Sequence, residues 1–172
     1  MRTETEVDRD GAVDVEALYE AHWTSMLRLA VLLVDDVGSA EDVVQEAFIG
    51  LHRNASRIRD PQAALGYVRA AVVNRARSAL RHRGVVRRHL RAAEPDVGPP
   101  SSDAVLLAEE HREVLAALHG LPRRQREVLV LRYWSDRSEA EIADLLSISR
   151  GSVKSAASRG IASLRLHLGG AL

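Results

Sequence analysis

The sequence contains no cysteine and few aromatic residues. Without cysteine, the chain has no disulfide, thiolate zinc site or thiol switch of its own. Aromatic residues make up 3% of the 172 residues, so a hydrophobic core has to be built from leucine, valine, alanine and isoleucine. No apolar run approaches the roughly 20 residues that span a bilayer, and the acidic N-terminus is unlike a signal peptide. These absences predict a globular cytoplasmic protein with no membrane contact of its own.

Charge is arranged in blocks, although the formal net charge is zero. Residues 1–60 carry thirteen acids and six bases, and residues 94–120 carry six acids and one base. Residues 61–93 carry eight arginines and no acid, and residues 121–172 carry nine bases and five acids. Basic blocks suit phosphate groups. The alternative, that the arginines only make helices soluble, does not explain why residues 61–93 contain no acid. The pattern indicates separate surfaces for separate partners.

Apolar residues recur at helical spacing, and no segment alternates convincingly as a strand does. The predicted fold is all-α, with two small helical domains joined by a flexible linker. The linker prediction rests on three of the five prolines, several acids and no apolar periodicity. The predicted organisation is an acidic disordered tail at 1–13, a first domain at 14–91, the linker at 92–102 and a second domain at 103–172.

Cap and turn signals set the predicted helix boundaries. The first domain is predicted to have a helix after Asp14, a second opening with a capping box at "SAED" (Ser39–Asp42), and a third from Pro61 to Arg83 or Arg91. The second domain is predicted to have helices over 103–119, from Pro122 to Trp134, from a capping box at "SEAE" (Ser138–Glu141) to Leu146, and from a Ser149 cap to about Leu168.

The stretch "SISRGSVKSAASRG" (Ser147–Gly160) is rich in serine and glycine, yet its apolar residues have helical spacing. On a helical wheel, Val153, Ala157 and Ile161 share one side. The other side and its edges carry small, polar and cationic residues: Arg150, Ser152, Lys154, Ser155, Ser158 and Arg159. A short helix, a three-residue turn and a second helix with such a face are typical of a helix-turn-helix that enters the major groove. The alternative is an ordinary helical hairpin with a serine-rich solvent face.

The segment "LPRRQREVLVLRYWSDRSEAEIADLLSISRGSVKSAASRGIASLR" (Leu121–Arg165) resembles region four of bacterial sigma factors. Upstream, "SAEDVVQEAFIGLHR" and "GYVRAAVVNRARSALRHR" resemble region two. A chain with these two regions and a short linker is similar to the extracytoplasmic-function (ECF) sigma factors. The resemblance implies a factor that binds core RNA polymerase at the β′ clamp helices and β flap. It also implies promoter DNA as a partner, read at the −35 and −10 elements and melted at −10, and an anti-sigma protein as a further candidate partner.

The third predicted helix carries a second candidate surface. Its inner side holds Leu65, Val68 and Val72, and its outer side carries Tyr67, Asn74, Arg77, Ser78 and Arg81. An aromatic ring, an amide and arginines suit unstacked bases and their backbone. By the resemblance, this helix and the loop of about Arg57 to Gln62 recognise the −10 element. Tyr67 stands where many relatives have tryptophan, and Ser78 where aspartate is common, so the preferred −10 sequence is left open; Tyr67 as a core-edge residue is the alternative.

The second predicted helix has Val44, Phe48 and Leu51 on its core side. The opposite side and flank carry Asp42, Gln45, Glu46, Ile49 and Arg53. An exposed isoleucine among charges suits a protein contact, and by the resemblance this face grips the β′ clamp helices. The alternatives are a solvated acidic face and a metal site at Asp42 and Glu46. No histidine joins them at ligand spacing, so no metal or other cofactor is predicted.

The inventory of reactive residues disfavours an enzyme. The seven histidines are scattered, and no serine lies in a nucleophile elbow or a glycine-rich phosphate loop. The preferred interpretation is an ECF sigma factor. Its rival is a helix-turn-helix regulator that binds duplex DNA without the polymerase and has no need of the Ile49 or Tyr67 surfaces. A protein-only adaptor is more distant, because the acid-free block has no role in it.

Overall fold

The computed structural model describes residues 13–89, Ser102, Val105 and residues 112–168, and for residues 83–89 it describes the backbone alone. Within these residues all regular secondary structure is helical, which confirms the all-α prediction. The chain divides into two compact units, Met1–Ala104 and Val105–Leu172. The predicted linker lies outside the described residues apart from Ser102, which is helical and exposed. None of the described helices is long and apolar enough to cross a bilayer.

The first unit contains α1 (Val15–Leu33), α2 (Val37–Asn54), a 3₁₀ turn (Ala55–Arg57) and α3 (Pro61–His89). Each of the three helices packs against the other two. The largest of the unit's fully buried side chains are aliphatic, as predicted: Leu27, Leu29, Val34, Val44, Leu51, Val68, Val72 and Val73. Burial of a leucine or valine contributes about 1.5–3 kcal/mol, so this core fixes which faces of α2 and α3 are left outside.

The caps of the first unit agree with the sequence at α1 and differ at α2. Asp14 caps α1, because its Oδ1 accepts a hydrogen bond from the Ala17 amide at 3.0 Å. The predicted capping box at Ser39 is wrong. Asp36 caps α2 by accepting from the Ser39 amide at 2.8 Å, so the helix begins earlier and Ser39 is a buried first-turn residue. Val13, predicted to end a disordered tail, is only 4% exposed.

The second unit contains α4 (Arg112–His119), α5 (Arg123–Leu129), a π-helical turn (Val130–Trp134), α6 (Glu139–Leu146) and α7 (Arg150–His167). The predicted helix from Pro122 to Trp134 therefore changes register part of the way along. In the π turn the Ser135 amide donates to the Val130 carbonyl at 3.2 Å, and such turns occur mostly as single insertions in α-helices. Of the predicted helix over 103–119, residues 112–119 are confirmed; 103–111 lie outside the described residues, except for helical Val105.

Helix α7 lies against both α5 and α6. A Cβ atom placed on Gly160 would be 2.8 Å from Leu129 Cδ1, closer than real Cβ contacts come. Leu129 is itself only 3% exposed and has little room to move away. Glycine at position 160 therefore lets α7 approach α5 closely, and this contact fixes the second helix of the helix-turn-helix on its support.

Candidate nucleic-acid and protein interfaces

The turn between α6 and α7 closes both helix ends. Ser147 has a left-handed backbone with φ of 53°, a conformation common just after a helix. The next amide, of Ile148, donates to the Ala143 carbonyl at 2.9 Å. Ser149 then caps α7, because its Oγ accepts from the Ser152 amide at 3.1 Å. The predicted Ser149 cap and three-residue turn are confirmed, and together they set the direction in which α7 leaves α6.

The outward face of α7 agrees with the sequence prediction. All six predicted DNA-contacting residues are exposed: Arg150, Ser152, Lys154, Ser155, Ser158 and Arg159. The inward face is formed by Val153, Ala156, Ala157 and Gly160, which are buried; Ala156 was not predicted among them. The resulting helix presents small and cationic groups outward from a rigid apolar support.

An arginine outside the helix-turn-helix joins this face. A depression of about 540 Å³ is lined by Arg124 of α5 and, from the turn and α7, by Ile148, Ser149, Gly151, Ser152, Ser155, Ala156 and Arg159. Helical spacing did not indicate Arg124, because its position beside α7 depends on how α5 and α7 pack against each other. Two arginines and three serine hydroxyls around one depression can donate several hydrogen bonds to an anionic backbone.

Glu139 lies beside the same face, at the start of α6. Its Oε1 accepts a hydrogen bond from Arg132 Nη1 at 2.9 Å, and its Oε2 is 3.8 Å from Lys154 Nζ. The predicted DNA-contacting lysine is therefore next to a carboxylate of its own unit. Sequence spacing could not reveal this contact, because it depends on the angle between α6 and α7.

The capping box at the start of α6 is confirmed. The Ser138 hydroxyl accepts from the Glu141 amide, and the Glu141 carboxylate accepts from the Ser138 amide at 2.9 Å. This backbone N–H, then the Ser138 hydroxyl and the Arg137 guanidinium, lower the pKa of Glu141 from 4.5 to about 2. The ionised carboxylate is thus part of what fixes the first helix of the helix-turn-helix.

This lowered pKa predicts a pH-dependent contribution to stability. Because the folded-state pKa lies below the ordinary value, ionised Glu141 stabilises the folded unit above pH 4.5, and this contribution is lost as the pH falls toward 2. Glu141→Gln keeps an acceptor for the Ser138 amide but removes the charge. The difference in melting temperature between wild type and variant should be largest above pH 4.5 and shrink on acidification, as measured by circular dichroism. A difference that stayed constant with pH would contradict this account.

In the first unit, the predicted polymerase-binding residues of α2 lie outside the core. Asp42, Gln45, Glu46 and Arg53 are exposed, and Ile49 is 48% exposed. The predicted core side is confirmed as well, since Val44, Ala47, Phe48 and Leu51 are all buried. We call the five outward residues the α2 stripe.

The predicted outer residues of α3 are mostly in the expected place. Asn74, Ser78 and Arg81 are exposed, and Tyr67 is 37% exposed. Arg77 differs from the prediction, because its side chain is half-buried and its Nε atom is enclosed. A half-buried arginine of this kind can keep its charge accessible while part of its side chain is covered.

Two polar contacts join α2 to α3, and helical spacing in the sequence did not reveal either of them. Glu46 forms an ion pair with Arg75, and the Asn54 Nδ2 donates to the Tyr67 hydroxyl at 3.3 Å. Between them, a Cβ on Gly50 would be 3.3 Å from that hydroxyl. Glu46, Gly50 and Asn54 recur every four residues along α2, so they form one row. The row was visible in the sequence, but its partners on α3 were not.

Among the described residues, no group of three or more histidine, aspartate or glutamate side chains is placed to hold a metal ion.

An exposed aromatic pair lies at the end of the π turn. Tyr133 and Trp134 are 63% and 48% exposed, and the Arg132 guanidinium is 5.8 Å from the Tyr133 ring centre. This aromatic pair was not predicted as a surface.

A helix-turn-helix with a cationic outward face, carried in one chain with a second helical unit that has exposed polar faces, is typical of a DNA-binding protein. The family models for sigma-70 region 2 and sigma-70 region 4 match residues 18–92 and 111–164. The chain is 33% identical over 159 residues to the ECF RNA polymerase sigma factor SigL of Mycobacterium tuberculosis, covering 90% of this chain and 88% of SigL. It is 30% identical over 159 residues to the RNA polymerase sigma-E factor of Streptomyces coelicolor, covering 91% and 86%.

The chain therefore belongs to the ECF RNA polymerase sigma factors. A match to the probable RNA polymerase sigma factor RfaY of Xanthomonas campestris, at 31% identity over 146 residues, spans 81% of this chain and only 36% of that longer protein. The family assignment disfavours the regulator that acts without the polymerase.

Two solved structures share the fold. One is the sigma factor RpoE in complex with the anti-sigma factor NepR from Bartonella quintana, with a TM-score of 0.68, 20% identity and coverage of 91% of this chain and 99% of that one. The other is CnrH in complex with the cytosolic domain of CnrY, with a TM-score of 0.62, 19% identity and 96% coverage of both chains. At these identities the likeness concerns the fold.

Proposed function

We propose that this sigma factor reads the −35 element with α7 and the −10 element with α3, while the α2 stripe binds core RNA polymerase. The observation that carries the proposal is the outward face of α7, where every predicted contact residue is exposed on a helix fixed by its caps and by Gly160. Lysine and arginine pair with guanine edges in the major groove. Arg124, from α5, adds a contact to the phosphate backbone.

For the −10 element, the support is the outer face of α3. Tyr67 leaves part of its ring open for stacking on an unstacked base, and Asn74, Ser78 and Arg81 offer hydrogen bonds to bases and backbone. Arg77 contributes its charge from a half-buried position. The preceding loop, with Arg57 and Gln62 exposed, belongs to the same proposed surface.

For the polymerase, we assign the α2 stripe to the β′ clamp helices and the second unit to the β flap. Ile49 supplies an apolar anchor among charged residues, which is a favourable arrangement at a protein interface. The exposed pair Tyr133 and Trp134 supports a protein contact of the second unit, because aromatic residues are enriched in such interfaces. The chemistry of RNA synthesis belongs to the polymerase, and this chain acts as an initiation factor in the cytoplasm where promoter DNA is found.

An anti-sigma protein completes the proposed set of partners. The structures of similar fold are complexes of sigma factors with NepR and with the cytosolic domain of CnrY. An inhibitor that covered the α2 stripe or the outward face of α7 would block polymerase or promoter binding directly. Co-expression with a candidate inhibitor, followed by a polymerase-binding assay, would identify it.

Run-off transcription with core polymerase on a promoter library tests the function as a whole. The expected result is a set of transcripts that depend on this chain and share −35 and −10 sequences at one spacing. A chain that bound duplex DNA but left core polymerase unable to start at any promoter would instead favour the free-standing regulator.

The Tyr67→Ala/Asn74→Ala double variant is expected to bind core polymerase and fail to open the −10 region. The double variant should fail because it loses the stacking and hydrogen bonds that offset the cost of unstacking bases, which is on the order of a few kcal/mol per step. Permanganate footprinting of unpaired thymines measures the opening. The defect should shrink on a pre-melted promoter.

The matched control is Tyr67→Phe, which keeps the ring and removes only the hydroxyl that accepts from Asn54. If stacking is what matters, this variant should open promoters nearly as wild type does. Normal opening by the double alanine variant would refute the assignment of this face.

A further inference from the structure

The carboxylate of Glu139 lies between two cations of its own unit. One oxygen accepts from Arg132 at 2.9 Å and the other is 3.8 Å from the Lys154 ammonium. The Glu139 side chain is 20% exposed and that of Lys154 is 69% exposed. The Lys154 ammonium is therefore within ion-pair range of the carboxylate on one side, while most of the lysine side chain is exposed and can meet a partner.

A carboxylate beside a lysine affects how that lysine recognises DNA. A free lysine samples many rotamers and can reach any phosphate nearby, whereas a partly ordered one loses less entropy when it meets one target. In water an exposed ion pair is weak, but it strengthens when DNA excludes solvent from it. A carboxylate at this place also repels phosphates, so it opposes contacts that carry no sequence information.

We propose that Glu139 is a positioning residue for −35 recognition, which directs the Lys154 ammonium toward a base edge and away from the neighbouring phosphates. Arg132 holds the carboxylate in place from the π turn, so the direction of Lys154 is set by three elements of the unit. This proposal rests on the proposed −35 function of α7. It assigns to an acidic residue a part in specificity, at the expense of non-specific affinity.

The test is Glu139→Gln in the full chain, titrated with a duplex selected by the wild-type protein from a randomised −35 library and with a scrambled duplex. Affinity for the selected duplex should fall while affinity for the scrambled duplex rises. The ratio of the two should drop by about fivefold or more, the low end of what one base contact is worth. The salt slope on the scrambled duplex should steepen by about 0.9, because the released lysine binds a phosphate instead.

Two controls separate positioning from charge and from folding. Asp144→Asn removes an exposed carboxylate from the same helix, and should change the affinity for both duplexes alike. In a Lys154→Ala background, Glu139→Gln should no longer change the ratio, because a residue that acts through Lys154 has nothing left to direct.

Several results would overturn the inference. If Glu139→Gln behaved like Asp144→Asn, its effect would be one of charge alone. A lower melting temperature with an equal loss on both duplexes would make Glu139 a purely structural residue. Equal binding of both duplexes by the wild type would overturn the −35 function of α7 itself and this inference with it, whereas a discriminating wild type and an equally discriminating variant would overturn only the inference.

Discussion

Replacing Lys154 and Arg159 together by alanine is expected to weaken binding to the −35 duplex by about 2–6 kcal/mol, at about 1–3 kcal/mol for each good base contact. Both side chains are exposed on α7, and the buried face of that helix does not use them. The fold should therefore survive the change. Fluorescence titration of the full chain against the selected duplex, over a range of salt concentrations, measures the loss.

The salt dependence distinguishes base recognition from phosphate binding. If either residue binds phosphate instead of a base, the slope of log K against log salt should flatten by about 0.9 for each phosphate that the variant no longer neutralises. Arg28→Ala, which removes an exposed cation on α1, should leave affinity and slope nearly unchanged. Wild-type affinity and slope in the double variant would show that α7 does not enter the groove as proposed.

Reversing the chemistry of the α2 stripe is expected to abolish polymerase binding and leave the fold intact. Asp42→Arg replaces an acid of the proposed interface by a cation, and Ile49→Glu replaces its apolar side chain by an acid. Mismatched charges at an interface can cost on the order of several kcal/mol. Exposed substitutions usually change stability by less than about 0.5 kcal/mol, and neither residue belongs to the core of α2. Glu46 is kept, because changing it to a cation would place two positive charges together at Arg75.

Co-purification with core polymerase and thermal unfolding give the two measurements needed. The variant should keep the wild-type melting temperature, but it should no longer co-purify with core polymerase or support promoter-specific transcription. Glu20→Arg, at an exposed acid of α1 outside the stripe, should bind the polymerase normally. If the stripe variant bound the polymerase as wild type does, the assignment of this face would be wrong.

The helical fold was largely readable from local signals, because caps act over three or four residues of chain. Asp14, Ser138 and Ser149 all cap helices where predicted. The failure at α2 has a local cause: Asp36 and Ser39 are both good caps, three residues apart, and the earlier one bonds the later one's amide. The π turn has no comparable sequence signal, so the predicted helix through Trp134 missed it.

The candidate surfaces were predictable only as far as periodicity reaches. Helical spacing places side chains inside or outside one helix, which is why the outward residues of α2 and α7 were assigned well. It does not say which residue of another helix lies opposite. The pairs of Glu46 with Arg75 and of Glu139 with Lys154, and the position of Arg124 beside α7, depend on how helices cross.

The ion pair between Glu46 and Arg75 bears on how mutant phenotypes of this protein should be interpreted. An allele at Glu46 alters the α2 stripe and at the same time removes the counterion of an arginine on α3. If α2 and α3 have the roles proposed above, the phenotype of such an allele mixes a polymerase defect with a disturbance of α3, and an allele at Arg75 in turn disturbs Glu46 of the α2 stripe. Because residues in contact do not contribute additively, neither position can assign its surface in a genetic screen. The informative alleles are those at Asp42, about one helical turn from Glu46 on α2, and at Asn74, the residue next to Arg75 on α3.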